Sequence, residues 1–229
     1  AATAAGVELE KVHAAAEAAE LTFPMTFGAK GSATIGGLMA TNAGGSNVLR
    51  YGTTRALVLG LEAVLPDGRV MDLMTELHKD NSGYALRDLL IGAEGTLGVI
   101  TAAVLKLVPR PAAFATAMVA LPSLEEALGL LNRLQVATGG AVEAFEYMPG
   151  DYMQALAAMH PDIRLALSEY HPVNVLLEIG ATAPRDATRV PDGSLPIVAY
   201  LEEVLGEDLE AGRVLDAAIA TSEAQRREM

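Results

Sequence analysis

The sequence contains no cysteine. Disulfides, thiolate catalysis and cysteine-ligated zinc are thereby excluded. Positive charge is scarce. Sixteen Lys and Arg stand against 29 Asp and Glu, a formal net charge of −13 over 229 residues. Nucleic acids and anionic membrane surfaces are bound through clustered Lys and Arg. The one dense cationic spot, Arg226-Arg227, lies beside acidic neighbours, so neither partner is expected. Long apolar runs are also missing. A membrane helix takes about 20 consecutive apolar residues; residues 112–121 fall well short and read as a strand. The first residues lack the charged start and apolar stretch of a secretory signal, and they do not begin with Met. The four histidines, His13, His78, His160 and His171, have no metal-ligand spacing between them. No serine stands in a nucleophile elbow.

What is present is apolar material, 51% of the chain, enough for a sizeable core in one large or two small domains. Residues 7–19 are Ala- and Glu-rich with apolar positions at helical spacing, which predicts a helix stopped by Phe23-Pro24. His13 on that helix is expected to face solvent. Residues 28–52 change character: glycine and small polar residues dominate, so backbone geometry rather than packing governs the segment. A hairpin follows, with strands at 57–65 and 69–73 about a Pro66-Asp67-Gly68 turn. A short helix is expected at 84–91, a second Gly-rich loop at 92–98, and a strand at 99–108 ended by Pro109-Arg110-Pro111.

That proline pair is the expected domain boundary. Beyond it the pattern predicts strands at 115–121, 141–147 and 173–179. Helices are expected from the Ser123–Glu126 capping box to about residue 137, and at 151–159, 197–205 and 208–227. Residues 183–194 read as a polar loop. Strands and helices alternating after an antiparallel hairpin give an α+β class. The Glu125-Glu126 and Glu202-Glu203 pairs read as solvated helix faces, and the scattered methionines as core filler.

Two segments carry candidate chemistry. Gly36-Gly37 and Gly44-Gly45 are glycine pairs eight residues apart, each beside hydroxyl or amide side chains. Glycine lets a backbone approach a ligand closely and present amide N–H groups to a pyrophosphate; a pair of tight turns is the plain alternative. The second segment, 92–98, has glycine every third residue but matches neither a dinucleotide fingerprint nor a phosphate-binding P-loop. A lone carboxylate such as Glu94 within it is more often a helix-end or turn partner than an acid–base group.

Taken together, FPMTFGAKGSATIGGLMATNAGG (23–45), RYG (50–52), VLGLEAVLPDG (58–68), KDNSGYALRDLLIGAEGTLGVIT (79–101) and LKLVPRP (105–111) resemble the FAD-linked oxidases with the vanillyl-alcohol-oxidase-type flavin fold. The branch that includes D-2-hydroxyglutarate dehydrogenase, D-lactate dehydrogenase and the glycolate oxidase flavin subunit is the most similar. AVEAFEYM (141–148) and NVLLEIG (174–180) extend the resemblance more loosely. The sequence departs from the family at Leu38 and Ala85, where Asn and Asp are common. The resemblance implies that residues 1–110 are the second subdomain of a flavin domain and 111–229 part of a ferredoxin-like substrate or cap domain. It implies an FAD site lined by Ser32, Thr34, Gly36 and Gly37, continued by Thr41, Asn42, Ala43 and Gly44. Glu94, Gly95, Thr96, Leu97, Gly98, Val99 and Ile100 would contact the cofactor through backbone groups. It further implies oxidation of a small D-2-hydroxy acid and a separate electron acceptor, in a cytoplasmic or peripheral inner-membrane protein able to form homodimers. A first flavin subdomain upstream and a His-rich segment downstream, carrying the catalytic base or the ligands of a divalent metal such as zinc, belong to the family pattern. The chain is therefore expected to be an internal fragment, inactive alone and weak in FAD binding. A non-catalytic remnant with a structural or partner-binding role is the alternative. Another chemistry on the same fold is disfavoured by GAKGS and KDNSGY.

Overall fold

The computed structural model describes residues 1–161, 165–167, 169 and 171–229. They form two compact units, Ala1–Arg110 and Pro111–Met229.

In the first unit, β1 (Ala2–Ala4) leads into α1 (Leu9–Glu17), whose Leu9, Val12 and Ala16 recur at helical spacing and are buried. The two-residue β2 (Leu21–Thr22) follows. The Gly-rich segment then contains three short helices, α2 (Ile35–Ala40), α3 (Val48–Tyr51) and α4 (Thr54–Leu57). Sequence periodicity does not announce α2. It forms because Thr34 caps it, its hydroxyl accepting from the Gly37 amide, and because Ile35, Leu38 and Met39 can all turn into the core. The hairpin is β3 (Val58–Val64) and β4 (Val70–Leu73). Then come α5 (Leu86–Leu90), β5 (Val99–Leu105) and β6 (Val108–Pro109). The expected strand 99–108 is thus two strands with different partners. Four strands make an antiparallel sheet in the order β1-β5-β3-β4, while β2 pairs with β6 apart from it. Side chains of α1 and α2 pack with Leu57, Leu61, Ala63, Ile91, Ala103 and Leu105 into one core. Leu38, one of the two departures, is a core residue there.

The second unit runs β7 (Ala113–Leu121), α6 (Leu124–Thr138), β8 (Val142–Pro149), α7 (Gly150–Met159), β9 (Val173–Ala181), α8 (Pro184–Ala187), α9 (Pro196–Glu210), β10 (Asp216–Ile219) and α10 (Glu223–Glu228). Its antiparallel sheet has the order β10-β7-β9-β8, the arrangement of a ferredoxin-like βαββαβ unit. Odd positions of β7 and β9, among them Val119, Leu121, Val175, Leu177 and Ile179, share a core with Leu130 and Leu134 of α6 and Leu201 and Leu205 of α9. Met118 and Ala120 belong to the opposite face, with Leu167, Met148 and Ala218. Ser123 caps α6 by accepting from the Glu126 amide.

The expected helices at 197–205 and 208–227 need correction. One helix, α9, runs through both starts to Glu210, and Gly212 at φ +69° turns the chain. Residues 216–219 then form a strand paired with β7, and only Glu223–Glu228 is helical. Helix propensity favoured Ala-rich DAAI; the open edge of β7 decided otherwise, since pairing satisfies backbone groups a short helix would leave exposed. The polar loop 183–194 also contains α8, opened by Pro184 at its first turn. Among the described residues, no helix is long and apolar enough to cross a membrane.

Candidate functional site

The two Gly-rich segments meet in the first unit. Helix α2 buries Ile35, Leu38 and Met39, which leaves Gly37 and then Thr41 exposed. At its C-terminal end the chain enters the left-handed region at Asn42, φ +48°, a conformation asparagine tolerates. The second loop docks on this same end. The Gly92 amide donates to the Met39 carbonyl and the Glu94 amide to the Ala40 carbonyl, each at 2.9 Å. Thr54 secures the first loop, its amide and hydroxyl both donating to the Ala43 carbonyl at 3.0 and 2.8 Å.

Not every glycine faces open space. A Cβ on Gly36 would lie 2.8 Å from the Ala5 Cβ, and the Gly36 amide already donates to the Ala5 carbonyl at 2.7 Å. This glycine serves contact with the chain just after β1. The Gly37 amide is taken by the Thr34 hydroxyl. The amides of Gly44, Gly95 and Leu97, all exposed, have no hydrogen-bond partner among the described residues. The sequence argument for open backbone donors therefore fits the second half of the first segment and the second loop better than the Gly36-Gly37 pair.

The remaining expected site residues are distributed around these loops. Ser32 is exposed, its hydroxyl donating to the Ala29 carbonyl at 3.3 Å. Thr41 donates its hydroxyl to the Gly37 carbonyl at 3.0 Å, and Thr96 to the Ala93 carbonyl at 2.6 Å. Glu94 holds φ +50°, which costs a side-chain-bearing residue about 1 kcal/mol; Gly95 follows at φ +79°. Gly98 passes so close to the hairpin that a Cβ would meet the Val64 carbonyl at 2.8 Å. Val99 and Ile100 are already strand residues, paired with Val64 and Ala63. They stand at the far end of the loop from α2.

His13, expected in solvent, is half-buried with its Nε2 3.0 Å from the Phe23 carbonyl. Among the described residues, no group of three or more His, Cys, Asp or Glu could hold a metal ion. One residue escaped sequence reasoning. Arg55 donates its Nη2 to the Ile91 carbonyl at 2.7 Å and its amide to Asn42 Oδ1 at 2.9 Å. Nothing in its neighbourhood along the chain signals a carbonyl 36 residues away.

The FAD binding domain family matches residues 1–74. A mitochondrial D-2-hydroxyglutarate dehydrogenase from Rattus norvegicus is 40% identical over 96% of the chain, which covers 39% of that relative. A D-2-hydroxyglutarate dehydrogenase from Xanthomonas citri pv. viticola is 35% identical over 98% of the chain, covering 44% of it. The chain thus spans about two fifths of the length of the curated relatives it matches. A solved alkyldihydroxyacetonephosphate synthase shares the fold, with a TM-score of 0.69 at 17% identity over 99% of this chain and 42% of its own. The chain thus matches an FAD binding domain over residues 1–74, is similar to D-2-hydroxyglutarate dehydrogenases along nearly its whole length, and shares its antiparallel α+β fold with a solved alkyldihydroxyacetonephosphate synthase.

Proposed function

We propose that this chain forms the FAD-holding second subdomain and part of the substrate domain of an enzyme that oxidises a D-2-hydroxy acid to the 2-oxo acid. The observation that carries the reading is the presence of exposed amides without a partner among the described residues, on two loops sewn together at the end of α2: Gly44 on one, Gly95 and Leu97 on the other. Neutral backbone donors on two loops joined at one helix end fit a pyrophosphate, which offers several acceptor oxygens. Ser32, Thr34, Gly36, Gly37, Thr41, Asn42, Ala43 and Gly44 form one wall in this reading, and Glu94 to Ile100 the other.

FAD, when bound, supplies the two-electron acceptor for the hydride on the substrate's α-carbon. The chain's own residues do the holding. Gly44, Gly95 and Leu97 would donate amide hydrogens to its phosphate oxygens, and the hydroxyls of Ser32 and Thr41 would extend the polar lining. Residues 111–229 are read as the substrate or cap domain. A divalent metal, zinc being the expected type, would be held by residues other than those described. D-2-hydroxyglutarate is the first substrate to test, followed by D-lactate and glycolate. A separate electron acceptor, a homodimer and a location in the cytoplasm or at the inner membrane complete the reading. The residues 1–229 alone should bind FAD weakly and turn over none of these acids.

The test is direct. The whole protein containing this chain is purified, scored for the flavin absorption spectrum, and assayed for dye reduction with each acid. A flavin spectrum bleached by one of the acids is the expected result. A protein that takes up no FAD, or one whose flavin none of them reduces, rejects the reading. The second reading, a non-catalytic partner-binding domain, predicts the first of these failures.

A further inference from the structure

Arg55 stands where the two loops are joined, and its bonds reach both. Its amide donates to the Asn42 side chain, which belongs to the first loop and sits in the left-handed region. Its guanidinium donates to the carbonyl of Ile91, the last residue before the second loop. Ile91 itself is fully buried, so this end of the bond is anchored in the core. The next residue, Gly92, holds φ +86°, and a Cβ there would fall 3.1 Å from Arg55 Nη2 and 3.3 Å from the Asn42 Cβ. Arg55, Asn42 and Gly92 therefore pack together at the base of both loops. The Met39 carbonyl accepts from both the Asn42 and the Gly92 amides, at 3.1 and 2.9 Å.

Arg55 is an odd choice for a purely structural role. The residue is exposed, while its helix α4 is anchored in the core by Thr54 and Leu57. Truncating Arg55 opens no core cavity. What it removes is a charge-assisted hydrogen bond that fixes where the second loop begins relative to the first. Both loops spend conformational strain, at Asn42 and Glu94, and such strain persists only where surrounding bonds over-determine the backbone.

We propose that Arg55 is a positioning residue for the flavin: it sets the separation between the Gly44 amide and the Gly95 and Leu97 amides at which both loops engage one pyrophosphate. The inference rests on the flavin reading above. Arg55 acts through the loops, with its Nη2 engaged at the Ile91 carbonyl.

The test uses the whole flavoprotein and its apoprotein. Arg55→Met and Arg55→Lys are compared with the wild type for FAD dissociation constant, apoprotein melting temperature and amide hydrogen exchange at Gly92 and Glu94. Arg55→Met should raise the dissociation constant about 10- to 100-fold, the range a lost hydrogen bond to a charged donor produces. It should speed exchange at Gly92 and Glu94 while the apoprotein melts within a few degrees of the wild type. Arg55→Lys, which keeps one cationic donor on a long stem, should recover part of the affinity. Unchanged FAD affinity in Arg55→Met overturns the proposal. So does an affinity loss that follows a fall in apoprotein melting temperature, with Arg55→Lys no better than Arg55→Met. A wild-type protein that binds no FAD would instead remove the flavin reading itself, a distinct result.

Discussion

Arg226 and Glu178 meet through two parallel hydrogen bonds, Nε to Oε2 at 2.6 Å and Nη2 to Oε1 at 2.8 Å. The guanidinium carbon lies 3.7 Å from the centroid of the Phe114 ring, and the Thr116 hydroxyl donates to the same Oε2 at 2.8 Å. Thr116 and Glu178 are register partners on β7 and β9, so α10 is fastened to the middle of the sheet. Arg226→Met should destabilise the second unit by about 1–2 kcal/mol, because Glu178 is left half-buried with one donor. Adding Glu178→Met should cost less than the sum of the single changes. Urea unfolding of the two single variants and the double variant measures this; strict additivity would show that the pair is not coupled.

Asp208 provides the deeper ion pair. Its side chain is 2% exposed, and it accepts from Arg133 and, at 2.7 Å, from Arg213 Nε. Asp208→Asn should cost about 3 kcal/mol, the low end for breaking a buried pair, since both arginines are partly exposed and can turn to water. The contrasting pair is Arg110 with Glu17, whose side chains are 55% and 62% exposed. Arg110→Ala should change stability by no more than about 0.5 kcal/mol. Equal losses in the two variants would contradict this ordering.

Gly36 and Gly37 are neighbours with different reasons to be glycine. Alanine at Gly36 meets the Ala5 side chain and backbone, so it should destabilise the first unit despite alanine's better helix propensity. Alanine at Gly37 meets only the Thr34 hydroxyl, at 3.2 Å, and should leave the melting temperature nearly unchanged. If Gly37 lines the flavin, Gly37→Val weakens FAD binding in a protein that still folds. Normal flavin stoichiometry in that variant would count against its place in the site.

Asp80 titrates below the ordinary carboxylate range, held there first by the Ser82 hydroxyl and then by the Ser82 amide. A depressed pKa means that the turn's extra stability is present above the ordinary range and is lost as pH falls through the depressed value. Ser82→Ala should move the Asp80 titration upward, towards ordinary aspartate, as followed by carboxyl-carbon NMR. No movement would mean that the hydroxyl does not set it.

Ala85, the second departure, precedes α5 with no side-chain cap. Aspartate there should add about 0.5–1 kcal/mol by accepting from a free amide of the first turn. Thermal unfolding reads the change, and a stability loss would show that the local backbone cannot present the carboxylate.

Local signals in the sequence were read well where local physics decided the outcome. The helical apolar spacing within residues 7–19 forecast α1, Pro66-Asp67-Gly68 forecast the hairpin turn, and Ser123 forecast the start of α6. Failures came where a distant partner decided. Asp216–Ile219 is a strand because β7 offers it an edge, and Ala115 or Val119 carries no mark of that. The candidate site was legible as two glycine-rich segments but not as a junction. Docking of Gly92 on Met39 and the reach of Arg55 to Ile91 join residues more than 30 positions apart. The Gly36 contact with Ala5 was equally hidden, since a glycine does not say what presses on it.

The place of β5 between β1 and β3 has a consequence for synthesis. β1 finds its partner about 100 residues later, as Ala2 faces Val104, so the first unit's sheet cannot close until β5 has been made. Residue 99 follows the end of β4 by 26 positions, roughly one to five seconds of translation. During that interval the nascent chain offers the unpaired edge of β3, with Leu61 and Ala63, to whatever strand arrives first. A chaperone that shields this edge until β5 emerges would raise the yield of folded protein more than one acting on the finished chain.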